Sequence, residues 1–273
     1  MQTLTEKRVF GDRSGSTAVF LATELGLVAV EVSGEQIGEF SLRYRETVAD
    51  VAVADDVVAI ATDSGVHTAA VNGDDDRPFT RIAHADAVAI AADPDGFLVA
   101  GPDGSVRRLG FDGGIDTIGH TEGVRAIDPP LVAAADGVYR IEDASLTGVG
   151  LSDVRDVVGR GVPFAATASG LYTLGNGWMK DVDGSFELVA GDGHESGHAV
   201  GADGLFAYSG HAWEPIDSPV AEPIVALAHG AGLLVAVTSA GRLCVDAGDG
   251  WRHQLLGVTE ARSIAIAADR NGV

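Results

Sequence analysis

The loudest chemical signal in the chain is His194-Glu195-Ser196-Gly197-His198, an H-E-x-x-H spacing. On a helix that spacing sets two imidazoles on one face to hold zinc, with the carboxylate beside the metal-bound water. The surroundings argue against a helix. The stretch GDGHESGHAVGADG has five glycines in fourteen residues, and glycine disfavours helix interiors. The motif is expected to span a turn and a strand. Asp93-Pro94-Asp95-Gly96 and Asp181-Val182-Asp183-Gly184 carry turn chemistry without the spacing of a calcium loop. The run Asp74-Asp75-Asp76 reads as a solvated loop. Cys244 is the single cysteine, so an internal disulfide and a thiolate zinc site are excluded. It sits in an apolar stretch and is expected to be buried. No Gly-x-Ser-x-Gly elbow, phosphate loop or dinucleotide fingerprint follows a strand.

The elements that must position these groups are repeats. A phrase recurs seven times: LATELGLVAV, IATDSGVHTA, VAGPDGSVRR, VAAADGVYRI, AATASGLYTL, AVGADGLFAY and AVTSAGRLCV. Each is an apolar strand, a tight turn ending in glycine, and a second apolar strand. The turn glycines (Gly26, Gly65, Gly104, Gly137, Gly170, Gly204, Gly241) are spaced 39, 39, 33, 33, 34 and 37 residues apart. Such a period means an array of one supersecondary unit. Ahead of the phrase lies another apolar run, as in VADVAVA, AVAIAA and VRDVVG, which suits a strand buried on both faces. After it comes a more polar segment, as in GEFSLRYR and WRHQLLG, which suits an exposed edge. Four short strands per unit make a propeller blade. Helical repeats are disfavoured because apolar runs are short and glycine punctuates every unit.

The expected fold is therefore all-β: one seven-bladed propeller domain over 1–273 with four-stranded antiparallel blades. Blade 1 spans 16–45 plus 262–268. Blades 2 to 7 span 48–84, 86–120, 123–151, 153–183, 185–219 and 223–257. The inner strand of blade 1 has two candidates. SIAIAA (263–268) is the more apolar and is preferred; EKRVFG (6–11) is the alternative.

Aligning the units places an acidic residue before every inner strand: Glu46, Asp86, Glu122, Asp153, Asp183, Glu222 and Glu260. A ring of carboxylates on one face suits a hard cation or a basic peptide. It also suits simple turn capping. The same loops carry Tyr44, Arg45, His84, His120, Arg125, Arg155 and Arg262. Arginines there either link blades through acids or bind an anionic ligand. Trp178, Trp213 and Trp251 follow small polar turns and suit packing between outer strands, or a sugar-stacking platform.

Composition narrows the classes further. The chain has 40 acidic and 18 basic residues, a net charge of −22, with 27 Asp, 13 Glu and two lysines, Lys7 and Lys180. This resembles the proteins of salt-accumulating haloarchaea, in which dense carboxylates keep the surface hydrated in molar salt. The field opposes binding to a phosphate backbone. No segment reaches the length of a membrane span, and MQTLTEKRVFGDRSGS lacks the apolar run of a secretory signal. A cytoplasmic location is expected.

Gly119-His120 followed by Val124, in IGHTEGVRAI, resembles the opening of a WD40 repeat, although no Trp-Asp ending occurs. The late turns GNGW, GHAW and GDGW resemble Asp-box propellers without their full motif. As a whole the chain resembles a haloarchaeal seven-bladed propeller family of unassigned function. That resemblance implies a fold and brings no catalytic residues, cofactor or metal. The expectation is a non-enzymatic binding or scaffold protein with a protein partner or small ligand. A hydrolase or lyase with carboxylate and His groups at the channel mouth, or a sugar-binding propeller, stands as the alternative.

Overall fold

A computed structural model describes residues 16–73 and 78–267. Asp74-Asp75-Asp76 and EKRVFG lie outside the described residues. The chain forms seven four-stranded antiparallel sheets, with no helix among the described residues. Six blades run in chain order from inner to outer strand. The seventh joins Ala261–Ile266 to the N-terminal strands. Its register is antiparallel, with Val19 opposite Ile266 and Leu21 opposite Ile264. The C-terminal strand thus fills the inner position of blade 1.

The remaining inner strands are Asp50–Ala54, Ala89–Asp93, Val124–Asp128, Val154–Val158, Phe186–Gly191 and Ile224–Gly230. Each contacts the inner strand of the next blade, and Ile224–Gly230 returns to Ala261–Ile266 to close the ring. The second strands are the most buried, wholly so in Thr17–Thr23 and Leu233–Thr238 and least so in Ser196–Gly201. Outer strands such as Ser145–Gly150 are largely exposed. This gradient is why inner runs are apolar on both faces and outer runs are polar.

The core lies between blades. Val235 and Leu243 of blade 7 pack with Val19, Leu21 and Val30 of blade 1. Phe20 and Leu27 meet Val58 and Ile60, and Ala59 and Val66 meet Phe97 and Leu109. Phe164 packs edge-on against Trp213 and Tyr208 across the seam between blades 5 and 6. Trp178 packs against the cluster between blades 4 and 5. Both tryptophans therefore serve packing.

The recurring turn has a second device. Thr23 Oγ1 donates to the Gly26 carbonyl at 2.8 Å and accepts the Gly26 N–H at 3.1 Å. Thr62 and Thr167 donate in the same way to Gly65 and Gly170 at 2.8 and 2.9 Å. These threonines are fully or almost fully buried, so the turn satisfies their hydroxyls internally.

Candidate functional site

The inner strands of all seven blades line a central channel of about 430 Å³. Five of them begin with a β-bulge. Pairing skips from Val124 to Ala126, Val154 to Asp156, Phe186 to Leu188, Ile224 to Ala226, and Ala261 to Ser263. The bulged residues are Arg125, Arg155, Glu187, Val225 and Arg262. A bulge bends the strand and redirects its extra side chain. Arg125, Arg155, Glu187 and Arg262 all line the channel. In a seven-membered ring, blade 1 lies opposite blades 4 and 5, so Arg262 faces Arg125 and Arg155 across the opening.

Two of these arginines stitch neighbouring blades. Arg125 Nη1 donates to Asp153 at 2.7 Å and to the Val154 carbonyl at 3.1 Å. Its guanidinium holds the Asp153 carboxyl below the usual range. Arg155 Nη1 donates to Ser185 Oγ at 2.9 Å, and pairs with Glu187. Arg262 is exposed, and no hydrogen bond or ion pair engages it among the described residues.

Deeper in the channel the chemistry turns acidic. Asp50 accepts the N–H of Val51 and, from the next blade, of Ile90, both at 2.8 Å. Asp156 does the same with Val157 and Val189 at 2.9 Å. Asp128 accepts the Gly159 N–H at 2.8 Å. Each of the three carboxylates reaches from its own blade to the next. Burial outweighs these hydrogen bonds and pushes Asp50 up to about 6 and Asp156 up to about 7. The charges of Asp128 and Asp50 add to the rise at Asp156. Beyond the far ends of these strands, Arg160 reaches from blade 5 to the Ala92 carbonyl of blade 3 at 3.3 Å.

HESGH spans a turn and the strand Ser196–Gly201. Asp192 accepts the His194 and Ser196 N–H groups at 2.7 and 3.1 Å, which shapes the turn. His198 instead meets His229 of blade 7, Nδ1 to Nε2 at 2.9 Å. Burial, then the neighbouring His229, lowers His198 to about 4, and burial lowers His229 as well. With both rings held below the usual imidazole range the pair is uncharged at neutral pH, one ring nitrogen donating and the other accepting, and it links the two blades. Among the described residues, no group of three or more His, Cys, Asp or Glu side chains is arranged to hold a metal ion. Cys244 is buried, and burial pushes its thiol up to about 11.

The acidic register lies ahead of the inner strands, on the entering loops except for Asp183 at the end of the strand Trp178–Asp183, and does not line the channel. Several of its members are engaged locally. Glu46 accepts from Tyr44 Oη at 3.0 Å, Asp183 from Lys180 at 3.1 Å, and Glu222 from Arg242 at 3.0 Å. Asp86, Glu122 and Glu260 are exposed. His84 and His120 are exposed on the same loops and stay outside the channel lining. Arg45 departs from the expected register. It lies five residues ahead of Asp50, outside the inner strand, whereas the other three arginines occupy bulges within it. Asp50, Asp128, Asp156 and the histidine pair were not singled out from sequence. Their signal is a polar residue interrupting an otherwise apolar inner run, as in VADVAVA and VRDVVG.

A closed ring of four-stranded blades around a lined channel defines a β-propeller. The chain belongs to the HVO_0234-like beta propeller family, which it matches over residues 3–267. No curated protein matches it. Among solved structures it is similar to the WD40 beta propeller domain of Doa1, at 14% identity over 90% of each chain with a TM-score of 0.64. It is also similar to the computationally designed Ika8 protein, at 16% identity over 93% of this chain and 91% of that one, TM-score 0.60. BamB from Moraxella catarrhalis matches at 14% identity over 96% and 89%, TM-score 0.55. At these identities the likeness concerns the fold.

Proposed function

We propose that the protein is a non-enzymatic binding propeller that presents the channel-mouth face to a protein partner or small ligand. The observation that carries this is the placement of Arg125, Arg155 and Arg262 at strand bulges around one opening. His84 and His120, the histidines expected at the mouth of an enzymatic channel, stand outside the lining, and His229, which does line it, is bonded to His198. The carboxylates inside it bind backbone amides of adjacent blades. We place the protein in the cytoplasm of a salt-accumulating cell, in keeping with its −22 charge.

The test is affinity capture from a lysate of the source organism in molar KCl, with wild-type protein and Arg262→Glu side by side. The expected result is a stoichiometric companion, protein or small molecule, that the variant fails to retain. If both proteins emerge alone, or retain the same companion equally, the channel mouth is not the binding face.

A further inference from the structure

The bulge positions reveal a selection for guanidinium. Lys and Arg together make up 18 of 273 residues, about one in fifteen, yet Arg fills three of the five bulges. Chance placement in so acidic a chain does not concentrate its scarce cations around one opening. Structural pairing accounts for part of two of them. Among the described residues, the bonds of the Arg125 and Arg155 guanidinium groups leave through Nη1. Nε and Nη2 of both remain as donors, held in place by the bonded nitrogen. Arg262 has no such bond among the described residues. A guanidinium fork whose one arm is anchored is pre-organised to receive a planar carboxylate or a phosphate on the other.

We propose that the channel mouth is a binding site for a small molecule bearing carboxylate or phosphate groups, clamped between Arg262 on one wall and Arg125 with Arg155 on the other. This deepens, and rests on, the reading of the channel mouth as the binding face. The channel volume of about 430 Å³ lies in the range of metabolite pockets. Polarity orients the ligand. Its anionic end stays at the arginine rim, because Asp50, Asp128 and Asp156 make the depth hostile to negative charge. Glu187, paired with Arg155 Nη1, leaves the other donors of that guanidinium in place but adds a negative charge to the rim, which opposes an anionic ligand. In molar salt the long-range repulsion from the rest of the chain is screened, while contacts at bonding distance persist.

Calorimetric titration tests this, with citrate and inorganic phosphate as separate probes at KCl-matched ionic strength. Wild-type protein should bind at least one of them saturably, one per chain. Arg262→Ala should weaken that binding about tenfold or more without changing the melting temperature, since no hydrogen bond or ion pair engages its side chain among the described residues. Glu187→Gln should strengthen it several-fold by removing a negative charge from the rim while keeping a bond acceptor for Arg155 Nη1, an effect a purely structural arginine would not show. Absence of saturable binding to both probes overturns the proposal, as does binding indifferent to Arg262→Ala. A protein companion lost on Arg262→Glu, with neither probe bound, overturns the small-anion site and leaves the binding-propeller reading standing. No companion and no probe binding removes both.

Discussion

The buried ionisable groups in this protein pull its stability in opposite directions. Asp156 has its pKa raised to about 7 in the fold. The unfolded chain therefore releases that proton first as pH rises, and the contribution present below about pH 4 is lost by pH 7. His198, lowered to about 4, has the reverse sign. Its contribution is present above about pH 6.5 and is lost as pH falls through 4. The two offset each other across the shared window. Urea unfolding at pH 4.5, 5.5 and 6.5 in constant KCl should separate them. His198→Gln should make the slope of stability against pH more negative by about 1 kcal/mol per pH unit, and Asp156→Asn more positive by a similar amount. Parallel profiles for the three proteins would show that neither group titrates as its burial dictates. These residues were hard to recognise beforehand for a physical reason. A polar residue in an apolar run signals burial with a partner, but that partner lies in the next blade, about 30 residues away.

At the scale of one blade, the glycine that ends each central turn can be read for its conformation and its surroundings together. Gly65 has φ +124°, and a Cβ there would stand 2.0 Å from the Ala83 carbonyl oxygen of the outer strand. Gly241 has φ +74° and would meet the Val258 carbonyl oxygen at 1.8 Å. The turn glycine thus lets the outer strand close against the hairpin. Gly65→Ala should cost on the order of 3 kcal/mol, whereas Gly177→Ala, with open space and ordinary φ, should stay within about 0.5 kcal/mol. Thermal unfolding of both variants checks the contrast; equal effects would mean that the turns are interchangeable with other loops. The glycine repeat was the most legible feature of the chain, because Gly26, Gly65, Gly104, Gly204 and Gly241 sit at positive φ, which admits few other residues. The threonine three residues before Gly26, Gly65, Gly170 and Gly241 was equally visible and gains its meaning from the hydroxyl bonds. The bulges were not visible, because an unpaired residue leaves no fixed mark on a short apolar run.

Over the whole molecule, seven units and a spare apolar strand at the C-terminus were enough to foresee the closed ring. The geometry added what one-dimensional spacing lacks: which blades stand opposite one another. Aligned in sequence, the acids looked like the principal ring and the arginines like their partners. In the fold the acids lie ahead of the inner strands, while Arg125, Arg155 and Arg262 line the channel. Arg45, grouped with them by spacing, falls outside because the channel-lining position just ahead of Asp50 is held by Ala49, four residues further on. What occupies that opening decides what the protein binds. A crystal structure grown at saturating citrate is the most direct measurement. The prediction is one citrate at the mouth, with carboxylates bonded to Arg262 and to Arg125 or Arg155. An unoccupied mouth, or citrate held elsewhere on the surface, would contradict it.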